Sequence, residues 1–321
     1  VSVIFLVISM KLENKLLFKD SNQYLEKLVG FFVGIVILST MAYIDDIKSL
    51  KPWQKLIAQI VSATILYIFE VRIDAINGFI IHPVFSYILT VGWIVGITNA
   101  VNLIDGLDGL VSGVSIISLV TMGIVSYFFL PQHNLFLTLT IFVLVLSIAG
   151  FFPYNYHPAI IYLGDTGALF IGFMIAVLSL QGLKNATAVA VVTPMIILGV
   201  PITDTFLAII RRTLSGQKFY TPDKHHLHHR LLSLGLTHRG TVLVIYGISL
   251  VFAMISLLLN VSSRIGGVLL MIGLLLGVEL FAELVGVLGP NRTPLLNILR
   301  FIGNSSYREE VRRKWRQKRN K

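Results

Sequence analysis

Seven aspartates fall at the polar breaks of a mostly apolar chain: Asp45, Asp46, Asp105, Asp108, Asp165, Asp204 and Asp223. Carboxylates beside a bilayer are costly, so they mark functional ground first. Asp45 and Asp46 are adjacent and repel each other. A cation, a nearby lysine or a shared proton must relieve that, unless they merely end a solvated helix. In Asn102-Leu-Ile-Asp105-Gly106-Leu-Asp108-Gly109 the two acids are three apart and share a helical face, with Asn99 and Asn102 on the same stripe one turn earlier. Two Asn and two Asp exceed what a helix cap needs. Asp165, in Gly164-Asp165-Thr166-Gly167, reads either as a cap or as a ligand for a hard cation. A second group is basic: Arg211, Arg212, then Pro222-Asp223-Lys224-His225-His226-Leu227-His228-His229-Arg230. Those histidines admit a zinc reading, but Arg211, Arg212, Lys224, Arg230 and Arg239 around them suit an anion better. His82, His133, His157 and His238 read as ordinary interface histidines. Acids for a divalent cation beside Lys, Arg and His for phosphates make a phosphoryl-transfer outfit, and its place at a membrane face points to a lipid substrate.

Something must hold these residues at one face. Of 321 residues, 55% are hydrophobic and 13% charged, against about 25% charged in a soluble globule. That composition excludes soluble domains and disorder alike. With no cysteine, thiolate metal sites, disulfides and cysteine nucleophiles are out. Ten apolar segments read as membrane helices: 1–10, 28–44, 56–70, 84–103, 110–130, 135–152, 160–181, 187–210, 241–260 and 265–288. The expected fold is therefore all-α, a polytopic helical bundle of about ten transmembrane helices. Alternating passes divide the loops into two sets. One carries 7 of the 26 Lys and Arg, and the other, with every polar cluster above, carries 19. The positive-inside rule puts the second set, and so the site, in the cytoplasm. Much of the +10 net charge lies in the tail after residue 290, which suits anionic lipid rather than nucleic acid.

Four motifs in this order resemble the polyprenyl-phosphate N-acetylhexosamine-1-phosphate transferases (glycosyltransferase family 4). They are Asp45-Asp46-x4-Lys51-Pro52-Trp53-x-Lys55, Asn99-x2-Asn102-x2-Asp105-Gly-Leu-Asp108-Gly, Gly164-Asp165-Thr166-Gly167 and Pro222 to Arg230. The pattern His226-Leu227-His228-His229-Arg230 with a later His238-Arg239 is similar to the bacterial undecaprenyl-phosphate GlcNAc-1-phosphate transferases. The phospho-MurNAc-pentapeptide transferases of peptidoglycan synthesis, which usually show three consecutive histidines, are the alternative. The family pattern also has an earlier helix and a loop with a Pro-x-Arg-x-Gly-Gly-type motif, which this sequence does not show. The chain is thus expected to be an N-terminally shortened transferase domain over 1–290 with a basic tail over 291–321, and an inactive remnant is a rival reading. A transporter fits poorly, because its polar groups belong near the midplane.

The resemblance implies transfer of GlcNAc-1-phosphate from UDP-GlcNAc to undecaprenyl phosphate, with release of UMP, as the first membrane step of an envelope glycopolymer. It implies Mg²⁺, or Mn²⁺ in its place, on Asn102 and Asp165. Asp45 and Asp46 would be the catalytic pair that positions or activates the lipid phosphate, and Lys55 would contact that phosphate. Asp108 would meet the uridine nucleotide, with Asn99 and Asp105 also placed against substrate. His226, His228 and His229, with Lys224 beside them, would bind the pyrophosphate. The expected location is the plasma membrane, multi-pass, and the oligomeric state is left open, a homodimer being one assembly it allows.

Overall fold

The computed structural model describes residues 21–76, 79–129, 135–182, 188–214, 226–287, 293–304, 307–309 and 313. Segment 1–10 and the ground for a shortened N-terminus lie outside the described residues, as do Lys224 and His225. Among the described residues the fold is all-α apart from one short hairpin. Helix α1 (Ser21–Lys48) turns at Ser49 into α2 (Pro52–Ile68). Strands β1 (Ala75–Ile76) and β2 (Phe79–Ile80) pair antiparallel, Ala75 opposite Ile80. Then come α3 (Pro83–Leu103), α4 (Leu110–Phe128), α5 (Leu135–Asn155) and α6 (Gly164–Gly182). They are followed by α7 (Ala188–Ile197), α8 (Gly199–Leu214) and α9 (Leu227–Ser233). The last three are α10 (His238–Val261), α11 (Arg264–Val285) and α12 (Pro294–Gly303).

Proline opens α2, α3 and α12, where its missing N–H costs nothing. Side chains of Thr237 and Ser263 accept from Gly240 N and Gly266 N and start α10 and α11. Six described helices are long and apolar enough to cross a membrane: α1, α3, α4, α5, α10 and α11. The expected pass over 187–210 is instead two shorter helices. Pro201 cannot donate to the Ile197 carbonyl, and Ser118 Oγ of α4 donates to it at 3.2 Å instead. Helix α2 and the start of α6 are polar where the site lies, which shortens their apolar stretches.

The chain divides into two compact units, residues 1–205 with 237–262, and residues 206–236 with 263–321. In the first unit α6 is the central helix. It packs on α1, α3 and α4, while α4 packs on α5 and α10. Ala168, Leu169, Phe173, Ile175, Val177 and Leu180 are all buried along it. Trp93 Nε1 of α3 donates to Ser179 Oγ of α6 at 2.9 Å, so a polar tie fixes the register of the pair. Gly172 lets the two helices close. A Cβ there would stand 2.9 Å from the Thr98 carbonyl oxygen and 3.0 Å from Thr98 Cα. Backbone cannot give way as a side chain can. Gly172→Val is expected to destabilise the protein by about 1–3 kcal/mol, read as a lower melting temperature in detergent. Gly92→Val, where a Cβ meets open space, is the control, and equal melting temperatures would refute this account.

In the second unit Gly286 ends α11 in the left-handed region, at φ 71°. Arg211 Nη1 donates to the Val287 carbonyl at 2.9 Å, and Arg230 Nη2 donates to the Gly286 carbonyl. The buried Glu283 carboxylate accepts from Leu295 N and Leu296 N, each at 2.7 Å, and so caps α12.

Candidate active site

The two adjacent aspartates at the end of α1 separate their charges. Asp45 is buried, and its Oδ1 accepts from Leu50 N at 2.6 Å across the turn at Ser49, where φ is 47°. Its Oδ2 pairs with Lys55 Nζ from the first turn of α2. Asp46 turns the other way. Its Oδ1 accepts from Asp165 N at 3.0 Å, and its Oδ2 accepts from Thr166 N at 3.2 Å and Thr166 Oγ1 at 2.5 Å. Asp46 therefore caps the N-terminus of α6 from another helix, where the helix dipole favours a negative charge. A lysine relieves one carboxylate and a helix end relieves the other.

Lys55 Nζ also donates to Asp165 Oδ2 at 2.6 Å, and Asn102 Nδ2 donates to Asp165 Oδ1 at 3.1 Å. The end of α1, the start of α2, the end of α3 and the start of α6 thus meet around one ammonium. The local reasons are plain. Pro52 starts α2 after a three-residue gap, Gly164 at φ 64° turns the chain into α6, and a Cβ on Gly164 would stand 3.1 Å from Asp46 Oδ2. Asn99, one turn deeper on α3, spends its amide elsewhere. It donates to Gln59 Oε1 at 2.5 Å and to the Val95 carbonyl at 2.8 Å, and accepts from Gln59 Nε2 at 3.2 Å. Asn99 and the buried Gln59 form a brace between α2 and α3.

Beyond α3, Asp105 is half-buried. Burial first, then the charges of Asp165 and Asp108, push its carboxyl from 3.8 up to about 7. The folded protein therefore holds this proton more tightly than the unfolded chain. The stability it contributes is full below the unfolded value near 4 and is lost as pH rises toward and past 7. Asp105→Asn is expected to stabilise the protein in EDTA by about 3 kcal/mol at pH 8, with the gain shrinking as pH falls to 5. A melting-temperature difference that stays constant between those pH values would exclude this charge as the cause.

Asp108 sits with two histidines. His157 Nδ1 is 2.8 Å from Asp108 Oδ2, which also accepts from Ala159 N at 3.2 Å. The His238 ring stacks on His157 with centroids 4.0 Å apart. These contacts, with the charges of His238 and His157, outweigh the opposing effect of burial and lower the Asp108 carboxyl below its ordinary value. His157 and His238, which read from the sequence as ordinary interface histidines, are both brought to Asp108 by the fold. The signal for it was weak: His157 stands eight residues before Asp165, and His238 opens α10.

In the second unit His226 is the N-cap residue of α9 and is buried with His228, while His229 is exposed. The His226 and His228 rings lie parallel at 6.1 Å, and those of His228 and His229 are 4.2 Å apart. With Arg211 and Arg230 tied to the end of α11, this is a basic, histidine-lined element.

Chemically, the first unit gathers Asp45 and Asp165 on one lysine, with Asp46 against the start of α6 and Asp105 close enough to Asp165 to feel its charge. That excess of carboxylate calls for further positive charge. Its donors are carboxylate and amide oxygens, the set that hard divalent cations prefer over transition metals.

A sequence model of glycosyl transferase family 4 matches residues 28–183, the stretch that carries Asp45 through Asp165. Over 274 residues the chain is 39% identical to the probable undecaprenyl-phosphate N-acetylglucosaminyl 1-phosphate transferase of Bacillus subtilis (strain 168), covering 84% of this chain and 76% of that relative. It is 31% identical over 247 residues to the decaprenyl-phosphate N-acetylglucosaminephosphotransferase of Mycobacterium leprae (strain TN), covering 70% of this chain and 62% of that relative. It is 30% identical over 194 residues to a phospho-N-acetylmuramoyl-pentapeptide-transferase of Streptococcus thermophilus (strain CNRZ 1066), covering 55% of this chain and 56% of that relative.

Proposed function

The chain belongs to glycosyl transferase family 4, and from that premise we propose that it transfers N-acetylglucosamine 1-phosphate from UDP-GlcNAc to undecaprenyl phosphate. The products are undecaprenyl-diphospho-GlcNAc and UMP, and the reaction opens the membrane stage of an envelope glycopolymer. The observation that carries this reading is the single lysine, Lys55, held between Asp45 and Asp165 with Asn102 against Asp165. Resemblance to the Bacillus relative favours the GlcNAc donor over the pentapeptide one, since it runs over more of both chains.

The lipid phosphate is a monoester whose second pKa is near 6, so at pH 7 it is largely a dianion and is nucleophilic without a strong base. Positioning and charge compensation then carry most of the work. Lys55 would turn its ammonium to the lipid phosphate while Asp45 keeps the side chain in place. Asp46 would hold the start of α6, and hence Asp165, in register. Asp165 and Asn102 would hold Mg²⁺, whose oxygen-ligand preference matches their donors. When bound, the ion supplies positive charge to the phosphates and to the departing UMP. Asp108 would face the uridine, with Asp105 near the same phosphates. Lys224, His226, His228 and His229 would take the pyrophosphate as an anion site. The site would face the cytoplasm of a plasma-membrane enzyme, and the basic tail would lie against anionic lipid.

The test is purified protein in detergent with labelled UDP-GlcNAc and undecaprenyl phosphate. UMP release with a labelled lipid product is expected, at least tenfold faster than with UDP-MurNAc-pentapeptide. The reverse preference would move the chain to the pentapeptide branch, and no lipid product with either donor would end the transferase reading.

Sidedness has its own measurement, because the chain has no cysteine to confuse it. Cysteine at Ser49 is expected to resist a membrane-impermeant thiol reagent in intact cells, and cysteine at Asn77 to react. Labelling at Ser49 from outside would invert the topology.

A further inference from the structure

We infer that Asp108, His157 and His238 form a second metal site, for a transition-metal ion of zinc's class, separate from the hard-cation site at Asp165. One donor atom from each residue lies within 4.8 Å of the others. Four-coordinate zinc with ligands at about 2.0–2.1 Å keeps neighbouring donors about 3.3 Å apart. The Asp108 Oδ2 to His157 Nδ1 distance of 2.8 Å would have to open by about 0.5 Å, and the longest separation to contract by at most about 1.5 Å, both side-chain adjustments. His238 supplies the second, independent observation. Its Nε2 is buried with no hydrogen-bond partner among the described residues, although its ring packs flat on His157. A buried ring nitrogen without a partner is rare and calls for an ion or a water.

The donor chemistry separates the two sites. Two imidazoles and one carboxylate match the three-ligand sets that zinc takes with its fourth position open, whereas Mg²⁺ prefers oxygen alone. The three residues come from separate stretches: the loop before α4, the loop before α6 and the first residue of α10. All belong to one compact unit. The Thr237 cap fixes the backbone at His238, and Ala159 N holds Asp108 Oδ2, so the ligands are carried on ordered segments. An ion here would clasp the loop carrying Asp105 and Asp108 to the start of α10. The inference stands on this geometry and not on the transferase reading.

The experiment uses untagged full chain in detergent with excess Mg²⁺, equilibrated with low-micromolar Zn²⁺, passed through gel filtration and assayed for zinc by mass spectrometry. Wild type is expected to retain zinc, and His157→Gln and His238→Gln each to retain one equivalent less. Asp165→Asn and His228→Gln are expected to keep that equivalent. Co²⁺ in place of zinc is expected to give the intense visible bands of a tetrahedral site in wild type, and to lose them in His238→Gln. Gel-filtration profile and melting temperature without zinc check that each variant folds. Should the two variants not fold, the cobalt bands of wild type and their persistence in His228→Gln still decide the matter. Wild type without zinc or cobalt bands overturns the inference, and so does an equivalent lost with His228→Gln but kept in His238→Gln.

Discussion

Replacing Asp165 with asparagine is expected to lower the turnover of lipid-linked product by about 10²–10³-fold or more. The variant removes one charge from the point where Lys55 and Asn102 converge. Lys55 keeps its pair with Asp45, so the fold around α2 is expected to survive, and the start of α6 keeps the Asp46 cap. The loss should therefore appear in kcat and in divalent-cation affinity, with little change in melting temperature. Excess EDTA should bring wild type down by a similar factor, and added Mg²⁺ should restore wild type but not the variant. Isothermal titration with Mn²⁺ gives a second readout that does not depend on turnover. If Asp165→Asn keeps activity within tenfold of wild type and wild type works in EDTA, the residue only opens a helix.

Much of the helix pattern was legible because a bilayer leaves few choices. A run of about 20 apolar residues with its backbone groups unpaired is untenable in lipid, so such a run must be a helix. The runs at 84–103, 110–130, 241–260 and 265–288 became α3, α4, α10 and α11 within a few residues. The run at 187–210 did not stay whole, because hydropathy alone does not register one missing N–H. Pro201 broke the ladder, and a serine from α4, far away in sequence, repaired it. The hairpin at 75–80 was invisible for the opposite reason. Its two residue pairs are too few to show the alternation that marks a strand.

The carboxylates of the site were legible one by one, since each was costly where it stood. What the sequence left unsaid was how they divide their partners. Asp45 and Asp46 are neighbours in sequence yet serve different helices, and the spacing of Lys55 gives no hint that it bridges to Asp165 across 110 positions. Asn99 looked equivalent to Asn102 on the same stripe. One turn of helix separates an amide facing Asp165 from an amide paired with Gln59. His157 and His238 stood alone in the sequence, and no local pattern joined them to Asp108. Only the close approach of three segments does so.

The division between the two aspartates leads to the second large effect. Asp46 commits both oxygens to three donors of one helix end, while Asp45 holds Lys55, the group proposed to meet the lipid phosphate. Asp46→Asn keeps an oxygen for the N-terminus of α6, and asparagine is as good a cap as aspartate. Its loss of turnover is expected to stay near tenfold. Asp46→Ala removes the cap altogether and is expected to cost about 1–2 kcal/mol of stability together with a larger loss of turnover, because Asp165 moves with the helix start. Asp45→Asn leaves a buried amide beside a lysine that needs a charge, and a loss of about 10²-fold or more is expected, mainly in kcat. Melting temperature and turnover measured on all three variants separate the roles. Equal losses in Asp46→Asn and Asp45→Asn, at unchanged melting temperature, would assign Asp46 to the chemistry itself and not to holding α6.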